Sequence, residues 1–177
     1  MKSILLAGFL ALSGSPLLAV SPNVVPTGNI SPVAIPPVAV AQTPTYSDLV
    51  VSLERTACFG ACPVYQLTVY GDGRVVYNGQ AFVAVQGQRT AQISPEQVQK
   101  LVKAIEAANF FSLAEQYTVE ATDLPGAWTS VTLNGQSKRI WRYGSTGDPA
   151  LDNAPRALTE LEQTIDTIAN SQQWVVK

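Results

Sequence analysis

Residues 49–70, LVVSLERTACFGACPVYQLTVY, place two cysteines between two segments in which apolar and polar residues alternate. A period of two puts every second side chain on the same face of a β-strand. The apolar residues that share a face are Leu49, Val51 and Leu53 before the cysteines, and Tyr65, Leu67 and Val69 after them. The stretch therefore predicts two strands joined by a loop that contains both cysteines.

Turn signals extend this pair of strands into a larger sheet. Residues 71–73 (GDG) predict a tight turn, because glycine adopts the positive φ that hairpin turns demand. Asn78-Gly79 is a second hairpin signal. The strand predicted after this turn is expected to end or to bulge at Gly87. Asn134-Gly135 predicts a type I′ turn. The strands predicted around these turns are 74–77, 81–85, 128–133 and 137–143.

The sequence also predicts two helices. Ser94 is a favourable N-cap with Pro95 at the first helical position, and Gln97 completes a capping box. Asn109 is expected to end this helix, and Phe110 and Phe111 to pack after it. The apolar stripe consists of Val98, Leu101, Val102 and Ile105.

A last helix is predicted at about 154–169, with its apolar face formed by Leu158, Leu161, Ile165 and Ile168. Residues 112–126 are expected to form a loop with room for a helical turn, and 144–153 a second loop. Residues 174–176 are expected to add a short strand or to cover a sheet edge. The order ββββ-α-ββ-α predicts an α+β domain of two layers, an antiparallel sheet with both helices packed on one face.

The N-terminal segment has the pattern of a secretory signal. Lys2 is the only charged residue before Asp48, and an apolar run at 4–12 follows it. We expect a signal peptide at 1–20, or one that extends to an alternative cleavage site after residue 41. The protein is then expected to be exported, to the periplasm or the cell exterior.

Seven of the twelve prolines precede residue 47, so 21–46 is predicted to be a disordered, proline-rich linker and 47–177 a single domain. The alternative is an uncleaved N-terminal segment that anchors the protein. Gly14 and Pro16 interrupt the apolar run, which is too short for a spanning helix. We therefore expect no stable membrane span after cleavage of the signal.

Composition narrows the possible chemistry. The chain contains no histidine, which excludes Ser-His-Asp and Cys-His catalysis and histidine-ligated metals. The formal net charge is −2, without a basic run, so nucleic acid is not an expected partner. No cofactor and no metal site is predicted.

Cys58 and Cys62 are the only cysteines, and in an oxidising compartment such a close pair is typical of a disulfide. The loop it closes is short, so the chain-entropy formula gives a stabilisation of about 2 kcal/mol. Gly60 suits the turn, and Phe59 is expected to act as a lid or to contact the core. The disulfide would then stabilise the loop rather than hold the whole fold together.

A redox-active dithiol is the alternative interpretation of the pair. Arg55 could lower the pKa of a nearby thiol by its positive charge. However, the redox signature is C-x-x-C at the start of a helix, whereas this spacing is C-x-x-x-C and Pro63 leads into a strand.

Three carboxylates, Glu115, Glu120 and Asp123, lie in the predicted loop after the first helix. Two of them facing each other could act as general acid and base, so a hydrolase is a further alternative. Solvated loop charges are the simpler interpretation. Asp123 could also bond nearby backbone N–H groups, or pair with Arg55 and attach this loop to the cysteine turn.

Aromatic residues recur on the predicted strands. Rows of this kind can bind peptides, glycans or stacked rings, but they are more often cross-strand packing pairs. The residues concerned are Tyr65, Tyr70, Tyr77, Trp128, Trp141 and Tyr143.

Several motifs, in order, resemble those of DUF6438, a bacterial domain family of unknown function. They are 53–65 (LERTACFGACPVY), 69–73 (VYGDG), 93–97 (ISPEQ), 108–111 (ANFF) and 122–125 (TDLP). The similarity covers about residues 48–143 and implies a small, mostly exported domain with no established activity. Cys58, Cys62, Pro63 and Tyr65 correspond to motif positions only.

The function expected from the sequence is a non-enzymatic module that binds another protein or a component of the cell envelope. The residues expected to mark the site are Arg55, Phe59, Gly60, Pro63, Tyr65 and Asp123, beside the disulfide of Cys58 and Cys62.

Overall fold

A computed structural model describes residues 45–144 and 153–176 of the chain. The predicted signal peptide, all but the last two residues of the predicted linker, and most of the predicted loop at 144–153 lie outside the described residues. Within the described ranges, no helix is both long and apolar enough to cross a bilayer.

Within residues 45–144, seven strands form one sheet in the order β4-β3-β2-β1-β6-β7-β5. Every neighbouring pair is antiparallel except β5 and β7, which are parallel. The strands are β1 Val50–Arg55, β2 Val64–Tyr70, β3 Arg74–Ala81, β4 Gly87–Gln92, β5 Gln116–Tyr117, β6 Gly126–Leu133 and β7 Gln136–Tyr143. The predicted α+β class and the predicted faces of β1 and β2 are confirmed, since the apolar residues named for them are buried.

The helices are α1 Pro95–Ala107, α2 Arg156–Ile168 and the short α3 Gln172–Val175, with a 3₁₀ turn at Phe110–Ser112. The capping box of α1 is present: Gln97 N–H donates to Ser94 Oγ, and Ser94 N–H donates to Gln97 Oε1. Asn109 follows the helix with φ 48°, as expected for a terminator. The predicted apolar faces of α1 and α2 are buried in one core with the inner face of the sheet.

The predicted turn at Asn78-Gly79 is wrong. β3 continues through these residues to Ala81, and Gly87 begins β4 instead of ending a strand at 81–85. The glycine is needed because a Cβ at Gly79 would collide with the carbonyl oxygen of Val85 and the hydroxyl of Tyr77. The chain turns at 82–86, where Phe82 has φ 55°.

The C-terminal segment is helical rather than a strand. The carbonyl oxygens of Trp174 and Val175 accept hydrogen bonds from the backbone N–H groups of Val85 and Ala84. Trp174 also stacks on Tyr77 at 4.9 Å between ring centroids. Thus α3 covers the β3–β4 connection.

The loop predicted at 112–126 contains the short strand β5.

Candidate functional site

In the described part of the chain, four charged residues form a largely buried ion cluster where β1 ends: Arg142 and Glu162, which are buried, and Arg55 and Asp166, which are partly exposed. Glu162 Oε2 accepts from Arg55 Nη1 at 2.7 Å and from Arg142 Nη2 at 2.6 Å. Arg55 Nη2 donates to Asp166 Oδ2 at 2.9 Å, and Arg142 Nε to Glu162 Oε1 at 3.1 Å. The Tyr65 hydroxyl donates to Asp166 Oδ1 at 2.8 Å. Two positive and two negative groups therefore neutralise each other.

Secondary-structure periodicity brings the cluster together. Arg55 continues the inward-facing series of β1, and Arg142 lies two residues beyond the buried Ile140 on β7. Glu162 and Asp166 are four residues apart on α2, so both face the sheet. Glu162 is buried within the apolar stripe of α2, and a carboxylate at such a position is the sequence signal that could have indicated an ionic partner.

Burial and charge stabilise the protonation states of two of these groups. Burial alone lowers the pKa of Arg55, but the Glu162 and Asp166 carboxylates more than offset this effect, so the net pKa is raised. Burial, and then the negative charge of Asp166, raise the pKa of the Tyr65 hydroxyl. At neutral pH the guanidinium is therefore charged and the phenol is a neutral donor.

A cleft of about 300 Å³ opens beside the cluster. Guanidinium, hydroxyl and amide groups lie in its wall together with apolar surface. The residues that line it are Arg55, Thr56, Cys62, Pro63, Tyr65, Pro125, Gly126, Arg142, Gln172 and Val175. The predicted site residues Arg55, Pro63 and Tyr65 thus line one cavity together with Cys62 of the predicted disulfide.

The disulfide loop, residues 58–62, contributes Cys62 to the wall of this cleft. Cys58 and Cys62 are bonded, with 5.8 Å between their Cα atoms. Phe59 N–H donates to the carbonyl oxygen of Asp123 at 3.0 Å, which attaches the loop to the segment before β6. Phe59 is 89% exposed, so the expectation that it is a lid or a core contact is wrong.

The proposed pairing of Asp123 with Arg55 is also wrong, because Arg55 bonds to two carboxylates of α2 instead. Asp123 attaches the two loops through its backbone carbonyl, and its carboxylate accepts from the Thr122 hydroxyl at 3.2 Å. Glu115, Glu120 and Asp123 are exposed, and none of them lines the cleft.

The remaining chemical candidates are distributed as follows. Cys58 and Cys62 lie between two strands, not at the start of a helix. In the described part of the chain, no group of three or more Cys, Asp or Glu residues is arranged to hold a metal ion. Trp128 and Trp141 lie directly opposite each other on β6 and β7, which confirms a cross-strand aromatic pair.

Comparison with protein families gives one finding. The family model described as a domain of unknown function (DUF6438) matches residues 49–169, which extends beyond the similarity at 48–143 to include α2. A comparison with curated proteins finds no match.

Proposed function

The chain belongs to the DUF6438 family, and we propose that it is an exported binding domain that holds a peptide segment of a partner protein at its disulfide loop and cleft. The observation that carries this proposal is the exposure of Phe59 on a covalently closed loop. Aromatic side chains that are held rigidly before binding are typical anchors of protein interfaces, because little conformational entropy is lost when they dock.

The size and charge of the cleft indicate which part of the partner peptide it would hold. Its volume is at the lower end of the range for ligand pockets, which suits one side chain of a peptide better than a large cofactor. Since the buried ion cluster is neutral, it offers hydrogen bonds rather than a net field to an incoming group. We therefore infer that the partner segment is uncharged at this point, with an apolar side chain beside Val175 and polar backbone near Arg55.

Export is the second part of the proposal. The signal-like pattern at the N-terminus supports it, and a disulfide is typical of oxidising compartments. Intact mass of the protein recovered outside the cytoplasm tests it, because the mature chain should begin after about residue 20 or after residue 41. A full-length, cytoplasmic protein with reduced cysteines would contradict it.

Panning a random peptide library, displayed on phage, against the oxidised protein tests the peptide site. We expect enriched peptides whose affinity falls at least about tenfold in Phe59→Ala. Phe82→Ala is the matched control, because Phe82 is also an exposed phenylalanine, at 49%, but lies on the β3–β4 connection and not on the disulfide loop. Failure to enrich any peptide, or equal losses in the two variants, would contradict the proposal.

A thiol–disulfide redox role is the second candidate, because Cys62 lies in the cleft wall with Arg55. The reduction potential of the pair separates the two roles. A value below about −300 mV identifies a structural disulfide, as the binding proposal expects. A value between about −120 and −200 mV, the range of known oxidants and isomerases, would favour the redox role.

A further inference from the structure

Gln172, the first residue of α3, is exposed and is one of the residues that line the cleft. The other polar side chains of the lining are already engaged. Arg55, Arg142 and Tyr65 donate to the carboxylates of the ion cluster. Thr56 Oγ1 accepts from a backbone N–H at 3.0 Å. The Gln172 amide has no such partner in the described part of the chain, so it is available to a ligand.

The fold holds α3 in place on both sides of this residue. Ser171, which is buried, donates from its Oγ to Asp166 Oδ1 at 2.8 Å. Trp174 stacks on Tyr77 and is buried as well. The backbone of Gln172 is therefore positioned before any ligand arrives, and binding has to order only its side chain.

We infer that Gln172 recognises the backbone of one extended, non-proline residue in the partner peptide. This inference rests on the proposed peptide-binding function. A primary amide has an acceptor oxygen beside an NH₂ donor. In an extended chain the N–H and C=O groups of one residue point to the same side, so both can bond to one amide. A proline at this point has no N–H to donate.

A charged occupant would use the amide less well than a peptide group. A carboxylate only accepts and an ammonium only donates, so each would engage one half of the Gln172 side chain and leave the other half unpaired. A peptide backbone engages both halves at once. The same group therefore favours an internal, extended segment of a chain over a terminal carboxylate or a terminal amine.

The test uses peptides enriched against the oxidised protein, with each backbone amide in turn replaced by an ester and binding measured by calorimetry. An ester has no N–H, so the replacement removes one donor and keeps every side chain. We expect at least one position at which the ester weakens binding about fivefold, the loss of one hydrogen bond. Gln172→Ala should weaken binding about tenfold, because it removes two. In Gln172→Ala the ester at that position should cause no further loss, since both changes remove the same contact.

Gln173→Ala is the matched control. Gln173 is an exposed amide on the same helix, but its Nε2 donates to the carbonyl oxygen of Asn170 at 3.0 Å and it does not line the cleft. Its replacement should leave peptide affinity unchanged, and both variants should keep the far-UV spectrum of the parent protein.

The outcomes separate this inference from the proposal on which it rests. Full affinity in Gln172→Ala, with the loss in Phe59→Ala retained, would overturn the role of Gln172 and leave the peptide site standing. Losses that add for Gln172→Ala and every ester would overturn it as well. Failure to enrich any peptide would contradict both.

Discussion

Replacing Glu162 with glutamine removes the charge that joins both arginines of the buried ion cluster. The carboxylate is 1% exposed and accepts hydrogen bonds from Arg55, Arg142 and Thr129. Glutamine keeps one acceptor oxygen, but its NH₂ group is a donor. This donor would face the N–H donors of the guanidinium groups, so a hydrogen bond would be lost there. Arg142, itself 2% exposed, would retain its charge without this partner carboxylate.

The expected cost is about 3–5 kcal/mol, the range for breaking a buried ion pair by removing one partner. Domains of this size are usually stable by about 5–15 kcal/mol, so Glu162→Gln should remove a substantial part of the total. Glu160→Gln is the matched control on the same helix. Glu160 bonds to Arg156 at 2.7 Å in an exposed i,i+4 pair, which is worth only about 0.3–0.5 kcal/mol.

Urea unfolding of the oxidised protein, followed by far-UV circular dichroism, measures both costs from the shift of the midpoint at constant m. A double-mutant cycle of Glu162→Gln with Arg142→Met should give a coupling of about 2 kcal/mol, since removing both charges leaves less uncompensated charge than removing one. Equal costs for Glu162→Gln and Glu160→Gln, or an additive cycle, would refute the description of the cluster as a buried, mutually dependent unit.

Three further predictions concern stability. Burial and the charge of Asp166 raise the folded-state pKa of Tyr65. The stability that the neutral hydroxyl contributes is therefore fully present below the unfolded pKa near 10, and it is lost as the pH rises through the folded pKa. Tyr65→Phe should reduce the alkaline slope of the unfolding free energy. Replacing both Cys58 and Cys62 with serine should cost about 2 kcal/mol in urea unfolding and leave the far-UV spectrum unchanged, whereas loss of folding would show that the disulfide supports more than its loop. Gly126→Ala should cost about 1–3 kcal/mol and change the near-UV spectrum, because the added methyl displaces Trp141; an unchanged spectrum would contradict that contact.

Local patterns predicted the parts of the fold that local forces determine. The period of two placed β1 and β2 with the correct faces, and the capping box located the start of α1. The Asn134-Gly135 turn was also predictable, because both residues have the positive φ, 53° and 73°, that a type I′ turn requires.

The errors arose where tertiary contacts determine the conformation. Gly79 has the same local sequence signal as Gly135, but it is a strand residue that makes room for Val85 and Tyr77. The strand β5 is only two residues long and forms through its parallel pairing with β7. No local pattern distinguishes such a segment from a loop.

The candidate site was predicted in part. The disulfide and the grouping of Arg55, Pro63 and Tyr65 near it follow from their closeness in sequence. The partners of Arg55 do not, because Glu162 and Asp166 are 107 and 111 positions away. Only the packing of α2 against the sheet brings them into contact, so sequence reasoning considered a thiol and Asp123 as partners instead.

Site-specific photocrosslinking in cells that produce the protein tests the central claim most directly. A photoreactive amino acid replaces Phe59 in one variant and Phe82 in another, and both are irradiated under the same conditions. We expect a discrete crosslinked partner protein at position 59 and none at position 82. No crosslink at position 59, or the same products at both positions, would contradict the claim that the disulfide loop is a binding surface.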